Sequence, residues 1–130
     1  MRLQSHQKKA ITLYLNIKEN HLNNNYPIII KTYNLTLWYI NKLSKLPKNH
    51  RFTLGEKIQN SLLDLLLLLN DAVYSKNKKT ILTQANKELE KLRILSRLMQ
   101  DLKLLSVDNY RFVTSYINEI GKMLGGWLNV

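Results

Sequence analysis

The side chains with the clearest chemical potential in this sequence are its lysines and arginines. Arg93 and Arg97 are four residues apart, so both project from one face of a helix, and Lys87 and Lys91 do the same on another sector. Such cations bind backbone phosphate without reading base sequence, and the arginine fork suits phosphate or carboxylate. The two arginines have an equally good alternative as partners in structural ion pairs with nearby carboxylates. Both interpretations stay open at this point.

A second group of cations surrounds the first helical segment and the turn that follows it: Lys31, Lys42, Lys45, Lys48 and Arg51. Over the whole chain 20 Lys and Arg stand against 9 Asp and Glu, which gives a formal net charge of +11. A charge needed only for solubility is about 2–8 for a small domain, so the excess favours an anionic partner such as nucleic acid. A plain solubility charge remains the alternative.

Residues that could catalyse a reaction form no recognisable set. Cysteine is absent, and His6, His21 and His50 lack the Glu-x-x-His spacing of metal-binding bundles. Gly121 is followed by a lysine but lies outside any phosphate-binding loop frame. Asp64 lies among leucines, where it could be a buried acid or an outward-pointing one. We therefore predict no catalytic residue, no metal and no cofactor.

The elements that position these residues are helices. Apolar residues at helical spacing predict helices over about 27–44, 51–74, 79–102 and 106–128, with almost no strand signal. Thr53 with Glu56 fits a capping box for the second helix, although Pro47 could start it one turn earlier, and Ser106 is the expected cap of the fourth. Short connections predict an antiparallel up-down-up-down four-helix bundle over residues 27–130. Residues 1–26 are predicted to be an extension outside it.

The second helix carries too much leucine for one buried stripe. Residues 62–69 contain seven leucines and one aspartate, and on a helical wheel the leucines surround the axis. Each fully exposed leucine forgoes roughly 1.5–3 kcal/mol of burial. We therefore predict a homo-oligomer whose interface includes Leu65, Leu67 and Leu68. A helix wedged centrally within the monomer is the alternative.

Membrane insertion is not expected. No stretch approaches the roughly 18 apolar residues of a membrane span, and the first residues lack the apolar run of a signal peptide. We expect a cytoplasmic protein with no membrane partner.

Three segments resemble a known family. LPKNHRFTLGEKIQNSLLDLLLLL, LEKLRILSRLMQDLKLLS and INEIGKMLGGWL are similar to segments of the accessory variability determinant proteins of diversity-generating retroelements. The resemblance spans about Ile28 to Leu128, and its most specific parts are the run from Leu89 to Leu102 and the final Leu-Gly-Gly-Trp. The related four-helix intervening-sequence proteins of ribosomal RNA genes usually carry a Ser-Asn-Ile-Ala-Glu-Gly-like stretch where this chain has Asn60 to Leu69.

The resemblance implies an assembly and a role. Members of that family are four-helix bundles assembled as barrel-like homopentamers that bind RNA and DNA and associate with the retroelement reverse transcriptase. They support mutagenic copying of a template RNA and have no known catalytic centre. By resemblance, the contact role of helix-three arginines falls on Arg93 and Arg97. An oligomeric scaffold without specific nucleic-acid binding is the competing hypothesis.

Overall fold

Four long helices make up the bundle in the computed structural model, which describes residues 4–5, 7–9 and 25–130. They are α1 (Pro27–Leu43), α2 (Glu56–Tyr74), α3 (Lys78–Asp101) and α4 (Val107–Leu128). The described residues contain no strand. The predicted all-α class is confirmed, and the observed helix ends lie close to the predicted ones.

The four helices form a closed ring around one core. α1 packs against α2 and α4, and α3 packs against the same two helices from the other side. The connections are short, so successive helices run antiparallel. The α1–α2 and α3–α4 connections therefore meet at one end of the bundle, and the α2–α3 connection lies at the other.

The start of α2 differs from the capping box that the sequence suggested. The chain becomes helical directly after Pro47, in a turn over Lys48–His50 and a π-helical turn over Arg51–Gly55, and then continues as α2. The hydroxyl of Thr53 donates to the carbonyl oxygen of Asn49 at 2.9 Å, so it bonds backwards inside the helix and does not cap it. The capping box is wrong, and the earlier start at Pro47 is confirmed.

The other helix ends have identifiable partners. The hydroxyl of Ser106 accepts a hydrogen bond from the amide of Asn109 at 3.0 Å, which confirms the predicted cap of α4. At the C-terminus of α2, the ammonium of Lys78 donates to three backbone carbonyls. After α3, Lys103 takes a positive φ of 61°, and the amide of Leu104 donates back to the carbonyl of Met99 at 2.8 Å.

The leucines of α2 divide between the core and the surface. Leu65 is fully buried among core residues, so its prediction as an oligomer-interface residue is wrong: the 3.6-residue period turns it inward with Leu62 and Leu69. Leu67 is 60% exposed and Leu68 is partly buried against the core. The expectation that some leucines face away from the bundle is confirmed, while the alternative of a helix wedged on all sides is wrong.

The proposed extension over residues 1–26, with His6 and His21, lies largely outside the described residues. Within the part of the chain that the structure describes, no helix has the length and apolar character needed to cross a bilayer.

Candidate nucleic-acid interface

The predicted arginines of α3 lie along its border with α4, where both already have partners. Arg93 donates through Nη1 to the Oδ1 of Asn118 on α4, and its Nε lies 3.4 Å from Glu90. The Nε of Arg97 lies 3.2 Å from the nearer carboxylate oxygen of Asp101. That carboxylate raises the pKa of Arg97 above its ordinary value. The ion pairs left open by the sequence are therefore present.

The predicted lysines lie on two other faces. Lys91 forms an ion pair of 3.0 Å with Glu88, and Lys87 borders the same α2–α3 groove as Lys91. Lys31 of α1 pairs with Glu119 of α4, which lowers the pKa of that carboxyl. The fold thus spreads these predicted residues over several faces instead of bringing them together.

An ion pair does not prevent an arginine or lysine from binding a phosphate. The pairs of Arg93 and Arg97 are partly or largely exposed, and exposed pairs contribute only about 0–1 kcal/mol, so a phosphate can compete for either arginine. The role of the six predicted residues therefore stays a prediction. The pairing does lower the net positive potential along α3, because each of these cations has a carboxylate beside it.

The structure brings a different set of cations together at one end of the bundle. Six cations lie in the last turn of α1, at the α1–α2 and α3–α4 connections and in the first residues of α2. We call this set the cationic end: Lys42, Lys45, Lys48, Arg51, Lys57 and Lys103. Among the described residues none of the six forms an ion pair, whereas four of the six predicted site residues do. Of the predicted site residues, only Arg51 belongs to the cationic end.

The electrostatics of this end are those of crowded like charges. Partial burial lowers the pKa of Lys42, and the charge of Lys45 lowers it further. The ammonium of Lys42 lies 5.6 Å from the ring centroid of Trp38, which holds it on an aromatic face. Arg51 is held in place by hydrogen bonds of 3.3 Å from Nε and Nη2 to the carbonyl of Leu46. Positioned cations without carboxylate partners form a surface that attracts anions.

Part of this site was visible in the sequence. Residues 41–57 contain five cations and one acid, Glu56, a local excess that marks the α1–α2 connection. Lys103 carries no such signal, because it is 46 residues from Lys57 and reaches this end only through the helix topology.

Asp64 is not a buried acid. It is exposed on the wall of the α2–α3 groove, which Asp71, Lys87 and Lys91 also border. No cluster of three or more metal-ligating side chains occurs among the described residues. The groove therefore presents mixed surface charges.

The outward sides of α2 and α3 expose large apolar side chains. We call this set the α2–α3 surface: Leu63, Leu67, Tyr74 and Ile94. Leu67 and Ile94 are 60% and 69% exposed. Scattered apolar residues are common on surfaces, and exposed apolar side chains of this size on two neighbouring helices are candidates for contact with a partner.

Comparisons with known proteins agree with this architecture. A search of curated proteins finds no match to the chain. A family model described as bAvd-like matches residues 28–130, which is the whole of the four-helix bundle from the first turn of α1. The resemblance to accessory variability determinant proteins is thereby confirmed, and the chain belongs to the bAvd-like family.

Proposed function

We propose that this protein is a non-catalytic accessory factor of a diversity-generating retroelement. It acts in the cytoplasm, binds nucleic acid and the reverse transcriptase, and supports mutagenic copying of template RNA. Membership of the bAvd-like family supports the accessory role. The single structural observation that carries nucleic-acid binding is the cationic end, where six cations lie at one end of the bundle and none of them forms an ion pair among the described residues.

Phosphate binding follows from the composition of that end. Lysines and arginines that neutralise phosphates release condensed counterions, so the affinity is electrostatic and falls as salt rises. Lys45, Lys48 and Lys103 are exposed, which lets them reach a phosphate backbone without rearrangement of the fold. This surface distinguishes no base sequence by itself, since phosphate contacts position a nucleic acid and base contacts specify it.

We also propose that the chain assembles with copies of itself, as a homopentamer by analogy with the family. The α2–α3 surface supports this, because covering Leu67 and Ile94 would bury apolar area that the monomer leaves in water. A ring of identical subunits uses heterologous contacts, so this surface would meet a different patch of the next copy. The same surface favours the competing hypothesis, an oligomeric scaffold that binds no specific nucleic acid.

A salt titration with three proteins tests the nucleic-acid role. The first is the wild type, the second carries Lys45→Ala, Lys48→Ala and Lys103→Asn, and the third removes three exposed lysines at the opposite end through Lys76→Ala, Lys79→Ala and Lys122→Ala. On duplex DNA, log affinity should fall with log salt by about 0.9 per phosphate contact, and the cationic-end variant should show the shallower slope. A wild type without salt-dependent binding near physiological ionic strength would contradict the proposal.

The arginines of α3 are tested beside these variants. Arg93→Ala with Arg97→Ala should weaken association with RNA or with the polymerase while the helical circular dichroism stays unchanged. Loss of helicity would show that their ion pairs are structural.

The retroelement context has its own test, which is the presence of a reverse-transcriptase gene and a pair of near-identical repeats beside the gene for this protein.

A further inference from the structure

We propose that Phe52 is a stacking platform for an unpaired base, so that the cationic end prefers single-stranded nucleic acid. This inference rests on the proposed nucleic-acid role and adds the class of ligand. It is carried by the exposure of one aromatic ring, by the two open grooves that the ring borders, and by the cations around it.

Phe52 is an exposed aromatic residue at the cationic end. Its side chain is 61% exposed, whereas Phe112, the other phenylalanine, is buried. Phe52 lies in the π-helical turn Arg51–Gly55, and π-helical turns occur frequently at functional sites. Gly55 ends this turn, and an added Cβ there would lie 3.3 Å from the carbonyl oxygen of His50 and 3.4 Å from a methyl group of Leu46.

The ring of Phe52 borders two open grooves. The larger has a volume of about 740 Å³ and has Leu54, Leu98 and Leu102 in its apolar wall. The smaller has a volume of about 390 Å³ and is bordered by Arg51 and Gln59. A base needs an apolar face to stack on and polar groups at its edge, and Asn60 borders both grooves with an amide that can donate and accept hydrogen bonds.

Cations flank the ring where a phosphate backbone would run. The guanidinium of Arg51 lies 5.7 Å from the ring centroid, Lys57 borders the larger groove, and Lys48 precedes the ring by one helical turn. Among the residues that the structure describes, Glu56 is the one acid that borders these grooves. An aromatic ring flanked by cations is an arrangement that suits single strands, because every base has a face that can stack.

The same chemistry discriminates against a duplex. In a duplex the bases are already stacked on one another, so Phe52 can gain a stacked base only after one is unpaired. The lysines and arginine contact phosphates in either form. The ring should therefore contribute to single-strand affinity alone, while the cations contribute to both.

The experiment measures Phe52→Leu and Phe52→Trp against wild type on three ligands: a single-stranded oligouridylate, the same strand with abasic sites, and a duplex of equal length. Phe52→Leu should lose about tenfold in affinity for the intact strand and little for the duplex or the abasic strand. Phe52→Trp should retain the affinity, and its added fluorescence should change with the intact strand but not with the abasic one. Circular dichroism checks that each variant is folded.

The possible results distinguish a failure of the stacking role of Phe52 from a failure of the proposed nucleic-acid binding. Equal affinity of Phe52→Leu and wild type for the intact strand overturns the stacking role while leaving salt-dependent binding in place. A change in sedimentation of Phe52→Leu without nucleic acid would show that another copy of the chain occupies the groove, which also overturns it. A wild type that binds none of the three ligands refutes the proposed function itself.

Discussion

The hydroxyls of Tyr39 on α1 and Ser96 on α3 share a hydrogen bond of 2.8 Å in the centre of the bundle. Both side chains are almost completely buried. The bond joins two helices that face each other diagonally across the core, whereas most packing in this fold is between neighbours around the ring. A satisfied polar pair in an apolar core specifies one register of these helices, because any slip would leave both hydroxyls buried without a partner.

Stability should therefore depend on pH through Tyr39. Burial raises the pKa of Tyr39 from 10.0 to about 12, and the hydrogen bond with Ser96 opposes this shift to a smaller extent. Below pH 10 both the folded and the unfolded chain keep the proton. Between pH 10 and pH 12 the unfolded chain loses it first, so the contribution to the free energy of unfolding declines with rising pH, by roughly 3 kcal/mol in total.

Tyr39→Phe isolates that contribution. Urea unfolding of wild type and Tyr39→Phe at a series of pH values from below 10.0 to about 12 should give free energies of unfolding that converge as pH rises. Lysine titration affects both proteins alike and cancels in the difference. Curves that stay parallel would show that Tyr39 titrates as it does in the unfolded chain.

Lys103→Gly should move stability and binding in opposite directions. Lys103 has a φ of 61°, a conformation that costs a residue with a Cβ about 1 kcal/mol and costs glycine almost nothing. The variant should gain up to about 1 kcal/mol in the free energy of unfolding. Because it also removes a charge from the cationic end, its salt slope on duplex DNA should be shallower by about 0.9. If the free energy of unfolding rose while the salt slope stayed unchanged, Lys103 would not be part of the binding surface.

Lys78→Met should destabilise the end of α2. The ammonium of Lys78 donates to the carbonyls of Ala72 at 2.8 Å and of Val73 and Ser75 at 3.0 Å, where the helix dipole also favours a cation. Methionine keeps an apolar stem and removes the donors, so urea unfolding should show a loss of about 1–2 kcal/mol. The matched control is Lys79→Met, an exposed neighbour that should change stability by less than about 0.5 kcal/mol. Equal losses in the two variants would contradict a capping role.

Substitutions at Leu65 and Leu67 should have different effects, the first on folding stability and the second on self-association. Leu65 is fully buried, so Leu65→Ala should cost about 2–5 kcal/mol in urea unfolding. Leu67 is 60% exposed, so Leu67→Lys should leave the stability of the monomer nearly unchanged and should weaken self-association in sedimentation. A wild type that sediments as a monomer at all concentrations would refute the oligomer and remove the reason for this difference.

Much of the fold could be predicted because the signals are local. Helix periodicity and the Ser106 cap each depend on residues within about one helical turn, and the structure contains both. The start of α2 could not be settled in this way. Pro47 and the Thr53–Glu56 pair offer competing local starts, and the choice depends on packing: the turn that begins at Lys48 places Gly55 against Leu43 and Leu46.

In the candidate site, too, some features follow from local sequence signals and others only from tertiary packing. The sequence by itself determined an all-helical chain, a large positive charge and an excess of leucine on α2, because composition and periodicity are properties of the chain. Only the tertiary structure decided that Leu65 is core while Leu67 is surface, and that Arg93 and Arg97 have carboxylate partners. It also brought Lys103 to the same end as Lys45 and Lys48. The physical reason is that burial and charge pairing depend on how helices face one another, and that arrangement joins residues far apart in the chain.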